Sequence, residues 1–441
     1  MFENQPTTGR ARKGASIAAL LATAVLALSA CSGGGASQAA PSDDPNATLL
    51  VWTDSTRQAG FEAFQKANPN VKMKIETVDG SALLTKIQLF NRTGSGWPDV
   101  VFSQNPDDAT SLSSSQYNYM ASLDSLVSQD VQKGFGNANQ GCTQGGKLMC
   151  LKNDLAQDVL WYNKPLMEKF GYKLPTTWDE YQALGKKVAA EHPGYIIGAA
   201  GDTNVYYDYF WSSGCPLQTV VSDTEVKINT KDPKCTRVAD MLDPLLANGS
   251  VAKASPFDPS VAALGKDQKV LMMPGASWFG DFVFKPAASF GSPEGVIAAA
   301  PIPAWSGEPT NYSGAQGGGI YMVSSHSKNT AGAVKIALWM ATSNDYQTTA
   351  PTYPAYGPAA TAWAARLASD KFYAENPFPV LQAAAGKINP AESPTRYGMA
   401  PALSATVTAA IKSGKTIASS LEDLQTQLAG VAQTTGYAVT Q

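Results

Sequence analysis

The sequence is 441 residues long and carries 33 Lys and Arg against 36 Asp and Glu, a formal net charge of −3. With no basic patch there is no electrostatic footprint for nucleic acid and no cationic face for anionic lipid, so a neutral ligand fits the chain better than a polyanion. The length is too great for one compact core and suits two domains, while a histidine count of two and unsuitable cysteine spacings argue against a zinc site.

Arg10, Arg12 and Lys13 make the amino terminus positive, and Ile17 to Leu28 is an apolar run too short and wrongly flanked for a membrane span. Leu28-Ser29-Ala30-Cys31 then resembles the bacterial lipobox. The resemblance implies a signal peptide over residues 1–30, a mature chain that begins at Cys31 with lipid on its sulfur, and an exported protein anchored to the outer face of the cytoplasmic membrane. Loss of the leader leaves 30 basic and 35 acidic residues, a net charge of −5. Residues 31–46 are rich in Gly, Ser, Ala, Pro and Asp, a composition that cannot bury a core and reads as a flexible tether.

Leu49-Leu50-Val51-Trp52 is a continuous apolar strand, followed by Thr53-Asp54-Ser55 and a helix that carries Phe61 and Phe64 and stops before Pro69. Val71 to Val78 alternates as a second strand, Leu83 to Phe90 is helical, and Asp99 to Phe102 is a third buried strand. This β-α-β-α-β order favours a parallel, doubly wound sheet, whose ligands bind beyond the carboxyl ends of the strands, at Thr53 to Ser55 and Ser103 to Asp107. Val159 to Asn163 opens a second half, and Thr177 with Glu180 makes a capping box for the next helix. Further strands fall at Val270 to Met273 and Gly319 to Val323. Ser325 to Lys328 reads as the cap of a helix starting near Asn329, and Ser419 with Glu422 as a capping box for the last helix, striped by Leu421, Leu424, Leu428 and Val431.

Besides Cys31 there are Cys142, Cys150, Cys215 and Cys235, and an even number in an exported chain points to disulfides. Three connectivities are open, and the close pairs Cys142–Cys150 and Cys215–Cys235, which enclose short turn-rich segments, are favoured. Nine Trp and seventeen Tyr exceed ordinary core needs, and such rings suit surfaces that are apolar on one side and hydrogen-bonding on the other.

The segments "LLVWTDS", "RTGSGWPDVVF", "VLWYNKPLMEKFGYKLPTTWDEY", "KVLMMPGASWF" and "GGGIYMVSSHSKN", in this order behind a lipobox, resemble the sugar-binding lipoproteins of ATP-binding-cassette importers, the family that includes maltose-binding protein. The resemblance covers essentially all of the mature chain. It implies a two-lobed α/β fold of the periplasmic-binding-protein type, each lobe a mostly parallel sheet flanked by helices, joined by hinge crossings near Asp154 to Asp158, Tyr312 to Gly317 and Pro354 to Gly357. By the segment matches the lobes are residues 47–154 with 313–355, and residues 155–312 with 356–441. It also implies a monomer without cofactor or catalysis, which closes on a carbohydrate, with an oligosaccharide favoured, and docks on membrane permease subunits.

A neutral sugar needs aromatic rings against its C–H faces and fixed polar groups for its hydroxyls. Asp54, Gln104 and Asn105 at strand ends, and Asp154 before the crossing, are the candidates for hydroxyls. Tyr206, Tyr207, Trp211, Trp278, Tyr356 and Tyr397 are the candidates for stacking, with Trp278 matching best a ligand-stacking tryptophan of the family. Asp54 could instead cap the helix after its strand, and Trp52 and Trp161 belong to apolar strands and to the core. A lipid-anchored glycoside hydrolase acting on the same sugars is the rival; it needs two carboxylates across one cleft, and no local acidic pair stands out. Ser325-His326-Ser327-Lys328 has Ser-x-x-Lys spacing but lacks the Ser-Asp-Asn and Lys-Thr-Gly partners of penicillin-recognising enzymes.

Overall fold

The computed structural model describes residues 43–389 and 395–441, so the leader, Cys31 and most of the tether lie outside the described residues. The end of the expected tether is docked rather than loose. The Asp43 carboxylate accepts from Thr330 N (3.2 Å), Asp44 N donates to Lys328 O (2.5 Å) and Asn329 Nδ2 donates to Pro45 O (3.1 Å). The free tether therefore cannot extend to residue 46; polar side chains at the start of a helix fix its last residues.

In chain order the main elements are β1 (Leu49–Thr53), α1 (Gln58–Ala67), β2 (Met73–Thr77), α2 (Gly80–Thr93), β3 (Val100–Ser103), α3 (Asp108–Ser113) and β4 (Cys150–Lys152). They continue with β5 (Asp158–Asn163), α4 (Trp178–Glu191), α5 (Val205–Ser212), β6 (Met272–Ala276) and β7 (Ile297–Ala300). Next come β8 (Ile320–Val323), α6 (Thr330–Thr342) and α7 (Leu421–Thr434). Apolar runs became strands because both faces are covered: β3, β5, β6 and β8 are buried at every residue.

The first lobe is built on a five-stranded sheet in the order β2-β1-β3-β8-β4. Its core holds Trp52, Phe61, Phe64, Phe102 and Tyr321. The second lobe has the sheet β6-β5-β7, with Trp178, Tyr181 and Tyr209 in one apolar cluster and Trp161, Phe279 and Trp363 in another. The expected parallel pairing holds for β1 with β2 and β3. It does not hold for β8, nor anywhere in β6-β5-β7, which is antiparallel throughout. The reason is the crossings: β5 and β8 each begin where the chain enters a lobe and run away from the crossing, while β1, β3, β6 and β7 run toward it. A strand delivered by a crossing needs no helical crossover, so nothing forces it parallel.

Three segments run side by side between the sheets. Asp154–Leu155 pairs with Tyr353–Pro354, Gln157 bridges Ala315, and Ser313 bridges Ile388. Asp158 N donates to Gly314 O (3.1 Å) and to Ser313 Oγ (2.8 Å). Gly317 and Gly318, with φ of 97° and 90°, make the turn into β8, and a Cβ on Gly318 would lie 2.9 Å from Asp154 O.

The Thr177–Glu180 capping box forms, with the Thr177 side chain accepting from Glu180 N and the Glu180 side chain accepting from Thr177 N. The other expected caps do not. Asn329 itself caps α6, accepting from Gly332 N at 2.9 Å. Ser419 belongs to a tight turn over Ala418–Ser420 that runs straight into α7, and the Asp243 carboxylate, not Glu422, accepts from Ile417 N and Ala418 N. Both disulfides pair as favoured, with Cα separations of 4.9 Å for Cys142–Cys150 and 4.7 Å for Cys215–Cys235. Among the described residues no helix is long and apolar enough to cross a membrane.

Candidate functional site

Because β1 and β3 point their carboxyl ends at the crossings, Asp54, Gln104 and Asn105 meet there. Gln104 Nε2 donates to Asp54 Oδ2 (2.6 Å), and Asp54 also takes Arg57 Nη1 (3.2 Å). Asp54 Oδ1 accepts from Arg57 N (2.8 Å) and so holds the turn ahead of α1, but it does not cap the helix, whose N-cap is Arg57. Gln104 and Asn105 are exposed and Asp54 is half-buried.

The other lobe contributes an aromatic wall. β6 ends at Ala276, and two residues on Trp278 is half-buried, its Nε1 donating to Gln316 O (3.0 Å) on a crossing segment. That bond fixes the indole between the lobes. Phe257, 52 % exposed, lies nearly parallel to it, 15° between planes and 6.1 Å between centroids. An exposed phenylalanine in Ser255-Pro256-Phe257-Asp258 has no helical or strand periodicity to bury it, a signal that sequence reasoning left unused.

Among the other expected site residues, Tyr206, Asp154 and Tyr397 are buried. Tyr206 is fully buried, with its hydroxyl donating to Ala200 O (2.6 Å), so it is a core residue of α5 and offers no stacking face. Tyr207 lies in the same helix, and Trp211 packs half-buried against the surrounding apolar cluster. Asp154 is 2 % exposed; its Oδ1 accepts from Asn153 Nδ2 (2.7 Å) and Gly319 N (2.8 Å). It braces a crossing and presents no surface to a ligand here. Tyr356 is half-buried and packs on Phe135 at 5.1 Å and on Gly134. Tyr397 is 5 % exposed, with its ring edge on Tyr437 at 6.1 Å, and thus is not an open stacking surface.

Tyr397 nonetheless belongs to the segment from the second lobe that closes over the β3–α3 turn. Ser111 Oγ donates to Arg396 O (3.3 Å), and the Thr395 amide faces the carboxylate of Asp107, a residue of intermediate burial. Asp107 was not singled out by sequence beyond ending the crevice range. Burial, then the neighbouring Asp108 carboxylate, pushes its acid up to about 8 against the opposing pull of Lys152 and the Thr395 amide. Burial likewise raises Asp108 to about 6, although Ser103 Oγ and Asn105 Nδ2 donate to it. No cluster of three or more metal-ligating side chains exists among the described residues. A shallow depression of about 380 Å³ lined by Asp124, Gln132 and Asn139 sits beside the Cys142–Cys150 loop, away from this crevice.

The fold has close counterparts. The galacto-N-biose-/lacto-N-biose I-binding protein of an ABC transporter from Bifidobacterium longum, solved with lacto-N-biose, superposes with a TM-score of 0.75 at 20% identity, covering 90% of this chain and 100% of that one. A transporter-associated binding protein from B. animalis subsp. lactis, solved with β-1,6-galactobiose, gives 0.70 at 18% identity, covering 89% and 99%. The GacH receptor of Streptomyces glaucescens, solved unliganded and with acarbose, gives 0.68 at 20% identity, covering 89% and 99%. In sequence, a probable ABC transporter-binding protein of Deinococcus radiodurans is 25% identical over 142 residues, 30% of this chain and 34% of that relative, so the chain matches about a third of its length. Residues 51–347 match the family described as bacterial extracellular solute-binding protein, and the chain belongs to that family.

Proposed function

We propose that this protein is the substrate-binding lipoprotein of an ABC importer, which captures a carbohydrate, an oligosaccharide rather than a single sugar, between its lobes and delivers it to membrane permease subunits. The observation that carries this reading is the placement of Trp278. An indole held by its own N–H on Gln316 O, beside Phe257, with Gln104 O 3.8 Å from where a Cβ on the adjoining Gly317 would lie, brings an apolar face near the strand ends that carry Asp54 and Gln104, and apolar and polar surfaces together are what a pyranose presents. The fold counterparts in complex with lacto-N-biose, β-1,6-galactobiose and acarbose support the ligand class. The lobes are residues 47–154 with 313–355, and 155–312 with 356–441; the side-by-side segments around Asp154, Ser313 and Tyr353 act as hinges. Cys31 carries the lipid anchor, the protein works as a monomer, and it performs no chemistry on its ligand.

The test is thermal unfolding of the soluble body, begun at residue 43, against mono- and oligosaccharides, with product analysis on each hit. A raised melting temperature with the sugar recovered intact is the expected result, and Trp278→Ala should weaken binding by ~1–3 kcal/mol. Cleaved sugar would make the protein a hydrolase, and absence of any shift would remove carbohydrate as the ligand.

A further inference from the structure

We infer that Arg57 is a positioning residue for ligand capture: without touching the ligand, it ties the crevice carboxylate of Asp54 to the buried carboxylate of Asp154 at a crossing, and so fixes the aim of Asp54 toward a ligand hydroxyl. The inference rests on the reading that a saccharide is held at Asp54.

Arg57 is the N-cap of α1, one short turn after β1. Its side chain is 8 % exposed, against 17 % for Asp54 and 3 % for Asp154, so of the three only Asp54 offers a ligand appreciable surface. Nη1 lies 3.2 Å from Asp54 Oδ2 and Nη2 lies 3.9 Å from Asp154 Oδ1, while the guanidinium carbon sits 4.6 Å from the centre of the Phe102 ring. A planar fork laid on an aromatic face has two directed ends, which a flexible ammonium lacks.

Asp154 is the anchored end. Its Oδ1 accepts from Asn153 Nδ2 and Gly319 N, and Asn153 Oδ1 in turn accepts from Tyr321 Oη (2.9 Å) and Gln347 Nε2 (3.2 Å). The Nη2 contact is too long for a hydrogen bond, yet it still acts, because attraction between charges falls only as the inverse of their distance and salt screens a buried pair little. Arg57 Nε has no hydrogen-bond partner, so the two acids and Phe102 are what hold the guanidinium, and loss of either charge lets it turn.

Asp54 is the working end. Three donors already reach it: Arg57 N on Oδ1, and Arg57 Nη1 and Gln104 Nε2 on Oδ2. A carboxylate offers about four lone-pair sites, which leaves about one for a ligand. As an acceptor it takes a hydroxyl hydrogen, and the direction of the remaining lone pair is set by the donors on the others. A shift of Arg57 therefore turns the one acceptor site that a sugar would use.

The test is a set of double-mutant cycles in binding. Arg57→Lys keeps the charge that two acids require but replaces the fork by a single ammonium. Asp154→Asn keeps an oxygen for Gly319 N and removes the anchoring charge. Calorimetric titrations with lacto-N-biose, β-1,6-galactobiose and maltose are run on each variant, alone and combined with Asp54→Asn. Each should weaken binding ~5- to 30-fold alone and less than ~2-fold further once Asp54 is changed. A purely structural role would lower the melting temperature and give the same loss of affinity in both backgrounds. The ligand-free readout is amide hydrogen exchange at residue 57, whose N–H is held by Asp54 Oδ1. In Asp154→Asn it should speed up ~3- to 10-fold, with Val188 in α4 of the other lobe unchanged.

The inference is overturned if a probe binds and either variant keeps the wild-type affinity, or loses as much with Asp54→Asn as without it. Unchanged exchange at residue 57 in Asp154→Asn overturns it too, whether or not a probe binds and whether or not Arg57→Lys folds. If no probe binds the wild type while that exchange responds, the saccharide reading falls and the positioning of Asp54 by Arg57 stands.

Discussion

A buried acid pair sits at the root of the second lobe, in the residue that follows a crossing. Asp158 begins β5 and is hydrogen-bonded to Asp208 on α5, and both are fully buried. Two carboxylates this deeply buried and this close do not both ionise readily, so they share a proton, and burial raises Asp158 to about 7. The native acid binds its proton more tightly than the unfolded one, which titrates near about 4. Its contribution to stability is therefore complete at low pH and is lost as pH rises through about 7, with a slope of up to ~1.4 kcal/mol per unit. Urea unfolding of the wild type across this range should show that decline. Asp208→Asn, which can donate to Asp158 without a shared proton, should flatten it; a wild-type profile already flat would refute the shared proton. Because the pair lies inside one lobe, it contributes equally to open and closed forms.

At the scale of elements, the turn into β8 is the most constrained piece of backbone between the lobes. Gly318 has φ of 90°, and a methyl group there would meet Asp154 O at 2.9 Å and Lys152 Nζ at 2.8 Å. Gly318→Ala should cost ~1–3 kcal/mol in chemical denaturation. Gly430→Ala, in helix α7 with nothing within 4 Å, should gain ~0.5–1 kcal/mol. Equal effects at both positions would mean that the turn is not strained. This contrast also explains what the sequence could reveal. Strands and helices were legible because burial on both faces writes unbroken apolar runs, as in β3 and β5. Asp54, Gln104 and Asn105 were legible as strand-end residues because the apolar runs before them mark where β1 and β3 stop, whereas Trp278 was legible only through its match to the family. Tyr206, Asp154 and Tyr356 were not. Whether a tyrosine in α5 or an aspartate before a crossing faces inward depends on Ala200, Gly319 and Gly134, partners distant in the chain or on another element. The antiparallel direction of β8 and of the second sheet was hidden for the same reason, since direction follows from which crossing delivers each strand.

Over the whole molecule the two sheets have separate apolar cores, and each lobe carries its own disulfide: Cys142–Cys150 in the cluster with Phe61 and Tyr321, Cys215–Cys235 in the cluster with Trp178 and Tyr209. Only narrow segments connect the lobes, so heat should unfold them as distinguishable units. The bridges then serve as labels. Their sequence separations are 8 and 20 residues. By loop-closure entropy, removing the shorter should cost ~2.5 kcal/mol and the longer ~3.3 kcal/mol. In differential scanning calorimetry the variant with Cys142 and Cys150 both changed to Ser should lower one transition. The variant with Cys215 and Cys235 changed should lower the other, by more. If either double variant moved the whole profile as a single transition, the lobes would be one cooperative unit. Motion between them would then require breaking that unit, and capture by closure would lose its mechanical basis.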